Sequence, residues 1–250
     1  MSGDQSNSTV SIRLGWQLRT YADVVLRLIR YNLKIIFANR FFYFLLAALA
    51  FYVVVTLISV FSENPPSEAS VYYLLLLPGL LVIFYPTVFG IQNDVDARTI
   101  EIIFGIPNYR YKVWLVRLLL VALVVVAVLL VLSLVSSVAL VPVDVLEMVY
   151  QLLFPILFLG ALAFMVSTLV RSGNGTAVVM VVIGLGFWIA SGTLRTSRWN
   201  LFLNPFQVPS NINEAIWASV VTNNRIYLLV GTVVSVLFGL LNLQKRERFV

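Results

Sequence analysis

The side chains able to do chemistry gather in one stretch, Asn93-Asp94-Val95-Asp96-Ala97-Arg98-Thr99-Ile100-Glu101, followed by Gly105, Pro107, Arg110 and Lys112. Asp94, Asp96 and Glu101 at the front and Arg110 and Lys112 at the back would complement the dipole of a short helix between them. Gly105 and Pro107 would then stop that helix. Such groups make ion pairs and docking contacts rather than covalent bonds. Composition closes the covalent routes, because the 250 residues include no cysteine and no histidine. That removes thiol nucleophiles, disulfides, Ser–His and Cys–His pairs, and haem or zinc ligation through those residues. A phosphate loop needs glycine directly before lysine, yet Lys34, Lys112 and Lys245 follow Leu33, Tyr111 and Gln244. The chain is therefore expected to be non-catalytic and to bind no cofactor of its own.

The elements that position these residues follow from hydropathy. Sixty per cent of the residues are hydrophobic and only 11% are charged, and mean hydropathy is +0.96. A soluble domain carries roughly a quarter of its residues as charges, so this surface must face something other than water. The apolar runs approach the ~20 residues that cross a hydrocarbon core as helix. Lipid solvates no free backbone group, so these runs are helices rather than open strands. The expected fold is an all-α integral membrane protein with six transmembrane helices, at about 41–61, 71–91, 114–141, 149–170, 176–193 and 226–243. Pro78, Gly79, Pro86 and Gly90 predict a kink or a broken turn in the second span.

Before the first span, residues 1–13 are polar, read as a short cytoplasmic tail and not as a secretory signal. Residues 14–40 place Arg19, Asp23, Arg27, Arg30 and Lys34 on one helical stripe. Leu14, Leu18, Tyr21, Val25 and Leu28 form another, as in a helix lying in the headgroup layer. A solvated cytoplasmic helix would carry the same pattern. Residues 41–243 form the membrane domain, and 244–250 a basic tail.

Lys and Arg set the orientation. With both termini cytoplasmic, all but Arg195, Arg198 and Arg225 of the 17 cationic side chains lie on the inner side, Arg117 near the inner end of the third span where it can snorkel. The outer loops carry Glu63, Glu68, Asp144, Glu147 and Glu214. The net charge of +6 records this asymmetry and calls for an anionic inner leaflet rather than a nucleic acid. Inside the predicted spans no carboxylate occurs, so proton or ion coupling through this chain is not expected. Thr56, Thr87, Ser133, Ser136, Ser137, Gln151, Ser167 and Asn242 remain, suited to hydrogen bonds between helices. No charged ring or filter-like loop suggests a channel.

Two connections are long, 92–113 on the inner side and 194–224 on the outer. The inner one resembles the loop between the second and third spans of type-2 export permeases of ATP-binding-cassette (ABC) transporters. Arg98, Thr99, Glu101, Pro107 and Arg110 stand at the places of that family's motif. The resemblance extends to the amphipathic amino-terminal helix, the six spans, the proline-containing outer segment with Asn204, Pro205, Phe206 and Pro209, and the basic tail. It implies a permease subunit in the cell (inner) membrane, paired with a second permease chain, identical or different. It also implies two copies of an ABC-type ATPase subunit, which would hold ATP and Mg. Residues 92–113 would then be the coupling element. The plainer reading makes Arg98 and Glu101 a local ion pair on a solvated loop.

In the outer segment, Ser210 is expected as an N-cap, with Ile212, Ile216, Val220 and Val221 on the apolar face of a short helix. That helix either re-enters the membrane as an outer gate with Asn204, Pro205 and Phe206, or lies at the interface with Trp199 and Trp217 in the aromatic belt. Arg171-Ser172-Gly173-Asn174-Gly175 reads as a tight turn with glycines in left-handed conformations, or as a second ATPase contact. Two rivals remain beside the exporter: a non-transporting membrane scaffold or assembly factor that also pairs with an ATPase, and a secondary carrier.

Overall fold

The computed structural model describes residues 41–62, 66–96 and 110–243. The expected amphipathic helix 14–40, both tails and most of the 92–113 connection lie outside the described residues. Six helices are long and apolar enough to cross a membrane, and no strand occurs among the described residues. They are α1 (Phe41–Val60), α2 (Glu68–Asp96), α3 (Val116–Ala139), α4 (Val145–Val170), α5 (Gly173–Thr193) and α6 (Glu214–Asn242). A π-helical turn, Arg110–Leu115, leads directly into α3.

The helices divide into centre and periphery. Within their apolar stretches, 67% of α2 and 56% of α4 is buried in protein, against 17% of α1 and 11% of α5. Small residues explain why α2 and α4 hold the centre, since lipid is as apolar as leucine and close backbone approach must drive association. Their packing is reciprocal. Ile156 of α4 fills the space a Cβ on Gly79 would need, and Ile83 of α2 fills that of Gly160. On the other flank of α4, Phe158 covers Gly231 and Phe164 covers Gly239, both in α6. Hydroxyls and amides join other pairs. Tyr52 of α1 reaches the Leu132 carbonyl (3.1 Å) and the Ser136 hydroxyl (2.8 Å) of α3. Asn242 of α6 donates to the Thr168 carbonyl of α4 at 2.7 Å. Of the polar residues expected between helices, Ser136, Gln151 and Asn242 serve that role. Thr87 and Ser167 instead bond carbonyls of their own helices, as hydroxyls in apolar helices commonly do.

Three local expectations are corrected. The second span has no broken turn, being one continuous 29-residue helix through Pro78 and Pro86; burial of α2 among four neighbours holds it where the prolines remove backbone bonds. The turn after α4 takes its left-handed residue from Arg171, at φ 61°, and no described glycine has positive φ. Gly173 is needed for room, lying against Phe89 and Gln92, whose side-chain oxygen accepts from its N–H. Ser172 caps α5 through the Gly175 N–H. Finally, the last helix begins at Glu214, not near Ile226, and Asn213 caps it by accepting from the Ala215 N–H at 2.9 Å. The expected short outer helix capped by Ser210 is thus the first turns of α6.

Candidate functional site

Two regions carry the polar chemistry, one at each end of the helices. The first joins the two ends of the inner connection. Asp94, expected at the start of a loop helix, lies in the last turn of α2 and is 5% exposed. Arg117, expected to snorkel, is 6% exposed and grips Asp94 with both terminal nitrogens, at 2.7 and 3.3 Å. Its guanidinium carbon sits 4.8 Å from the Trp114 ring centroid. Trp114 in turn is buried with Ile91, Phe164, Leu240 and Leu243, so helices α2, α4 and α6 converge on the π-helical turn. A planar guanidinium meets a carboxylate bidentately and stacks on an aromatic face, which a lysine could not do. Burial, not solvent access, is the better arrangement here because the charge finds its counter-ion 23 residues away.

The second region fastens the segment between α5 and α6. Its backbone is a chain of turns, closed by bonds such as Asn200 N–H to Ser197, Leu203 N–H to Asn200 and Gln207 N–H to Asn204. Asn200 and Asn204 support them by accepting from the N–H groups of Phe202 (3.1 Å) and Phe206 (3.0 Å), the usual service of asparagine in turns. Asn204 also donates to the Ala69 carbonyl of α2 at 2.9 Å. From α6, Asn224 donates to the carbonyls of Arg198 and Asn200 at 2.9 and 2.8 Å. Arg225, 4% exposed, donates to Gln151 of α4 (2.9 Å), Asn224 (2.9 Å) and the Leu203 carbonyl (3.2 Å). Tyr72 donates to that same carbonyl at 3.3 Å, and Trp217 to the Pro205 carbonyl at 3.0 Å. Arg225 is therefore a buried cation held by neutral oxygens.

Among the expected gate residues, Asn204, Pro205 and Phe206 belong to this fastening, Phe206 with its ring 6.1 Å from that of Tyr72. Ile212 packs on the cluster of Leu203, Trp217 and Val221. Ile216 does not: it is 60% exposed, and Trp217 takes the buried position. The inward face of α6 runs through Trp217, Val221, Asn224, Arg225 and Leu228, one residue round from the expected stripe. Trp217 is thus a core residue, whereas Trp199 is exposed and stacks on Tyr227 at 4.5 Å. Sequence reading had marked Gln151 for a bond between helices but missed Tyr72, Asn224 and Arg225 as its partners in this fastening. The signal was present, since Asn-Arg inside an extended apolar run is costly unless partnered. Arg98, Thr99, Glu101 and Pro107 lie outside the described residues, and Arg110 opens the π-helical turn.

Between α2, the last turns of α5 and the fastened segment lies a cavity of about 1170 Å³. Leu76, Leu77, Leu80 and Trp188 give it an apolar wall; Arg195, Asn200, Asn204 and Gln207 give it a polar one. No cluster of three or more metal-ligating side chains occurs among the described residues. Comparison with protein-family models, curated proteins and solved structures finds no match for this chain.

Proposed function

We propose that this chain is the membrane-spanning permease subunit of an ATP-driven exporter of the ABC type-2 kind. Two permease chains, identical or different, would form the path, and two separate ATPase subunits would bind ATP and Mg and supply the work. The observation that carries this reading is the buried Asp94–Arg117 pair, stacked on Trp114. It ties the end of α2 to the start of α3, immediately either side of the connection that bears Arg98, Thr99, Glu101, Pro107 and Arg110. A push delivered to a connection so anchored moves two helices together, and through Trp114 reaches α4 and α6. Packed interfaces transmit such displacements because they do not deform continuously. The distribution of Lys and Arg supports cytoplasmic termini, and the resemblance supports the cell (inner) membrane.

The test is co-expression of the chain with the ATPase subunit that co-purifies with it. In vesicles, Glu101→Lys or Arg98→Glu is expected to abolish permease-dependent stimulation of ATP hydrolysis while membrane insertion stays normal. Full stimulation in both variants would refute the coupling role. Absence of any ATPase companion, with solute moving down an ion gradient, would favour a secondary carrier. A stable companion with no solute movement would favour a scaffold.

A further inference from the structure

The 1170 Å³ cavity beside α2 is larger than the ~300–1,000 Å³ of pockets that hold drug-sized ligands. Its lining is mainly apolar along the helices and mainly polar along the fastened segment. Leu76, Leu77 and Leu80 of α2 face it with Trp188 of α5, all within membrane-spanning helices. The fastened segment supplies Arg195, Asn200, Asn204 and Gln207. Arg195 is the single charged residue of the lining, no carboxylate contributes, and Arg195 forms no ion pair among the described residues. The nearby cations are otherwise engaged: Arg225 is buried and donates to three neutral acceptors, and Arg198 lies over the Trp199 and Tyr227 rings, 5.7 Å from each centroid. One free guanidinium with carboxamides above, and a leucine and tryptophan wall below, matches an amphiphile with a negatively charged head and an apolar tail.

We propose that this cavity binds a membrane amphiphile with an anionic headgroup, the head at Arg195 and the tail along Leu76, Leu77, Leu80 and Trp188. This rests on the chain spanning a membrane and not on its coupling to an ATPase. The site lies wholly within one chain, so it needs no second permease to be complete.

Tryptophan quenching tests it with the full-length chain alone in vesicles. Brominated-chain phosphatidylglycerol is compared with brominated-chain phosphatidylcholine as quencher. The anionic lipid should be preferred by about fivefold, the effect of one basic side chain at an anionic headgroup. Trp188→Phe should remove most of the preferential quenching, Trp217 being the other tryptophan of the lining, and Arg195→Gln should abolish the preference. Arg195→Lys should retain most of it, and Arg198→Gln should leave it unchanged. Equal quenching by the two lipids, or a preference that survives Arg195→Gln, overturns the proposal. Equal loss in Arg198→Gln also overturns it, by assigning the effect to general surface charge. Displacement by millimolar glycerol phosphate, which has no tail, would make the site one for soluble anions and overturn the amphiphile. Because no ATPase is present, failure here leaves the coupling role standing, and failure of the Glu101→Lys test leaves this site standing.

Discussion

Two arginines are buried among the described residues, and each is made tolerable by a different device. Both lie over an aromatic ring, Trp114 and Phe154, but Arg117 is paired with a carboxylate whereas Arg225 is held by neutral amide and carbonyl oxygens. The first arrangement predicts a steep penalty when one partner is removed. Asp94→Leu would leave the Arg117 charge facing the Trp114 ring, at a cost of about 3–5 kcal/mol. Replacing both, as Asp94→Leu with Arg117→Met, is expected to recover most of that loss, since two apolar groups need no compensation. Thermal unfolding of the purified chain checks this; a double variant as unstable as the single one would show that the charge pairing is not what matters. The pair also shows where reading from sequence stopped. Asp94 and Arg117 were each visible as ionisable residues near span ends. Their contact was not, because it depends on α2 continuing to Asp96 and on a π-helical turn setting the rotation of α3.

Among the elements, α2 and α4 owe their central place to glycines that accept a neighbour's isoleucine. A side chain added at Gly160 would overlap Ile83, so Gly160→Val is expected to destabilise by about 1–3 kcal/mol, as overpacking does. Shortening the intruder, in Gly160→Ala with Ile83→Ala, should relieve the clash that Gly160→Ala alone creates. At Gly184 of α5 a Cβ meets nothing within 4 Å, so Gly184→Ala should be neutral or slightly stabilising. Melting temperatures of these variants in one detergent decide it, and equal losses at Gly160 and Gly184 would remove the packing explanation. The glycines were legible as small residues, but their assignments were not. In the turn after α4 the sequence suggested glycine for the left-handed residue, and Arg171 takes it because Gly173 is committed to the close contact with Phe89 and Gln92.

For the whole molecule the outstanding quantity is orientation, and the absence of native cysteine makes it directly measurable. Asn174 lies in the first turn of α5 and Ser210 in the fastened segment at the other end of the helices, both exposed. With cytoplasmic termini, Ser210→Cys should react in intact cells with a membrane-impermeant maleimide, and Asn174→Cys only after permeabilisation. The opposite pattern would invert the chain, and with it place residues 92–113 beyond reach of a cytoplasmic ATPase. The same orientation sets the leaflet from which the cavity would draw its amphiphile, linking the two proposals by geometry though neither depends on the other.

Composition and hydropathy alone determined that the described residues are helical and include six helices able to cross a membrane, because lipid permits so few ways to satisfy a backbone. They also located the two long connections, and the family resemblance pointed to Asn204, Pro205 and Phe206 within the outer one. Only the tertiary structure decided which helices are central, that the last helix starts at Glu214, that Trp217 rather than Ile216 faces inward, and that Arg225 anchors the segment above it. The reason is physical. A helix bathed in lipid is apolar on every side, so hydrophobicity carries no record of which face meets protein. That record lies in small residues and in a few hydrogen-bonding groups, whose partners sit on other helices and are fixed only when the helices pack.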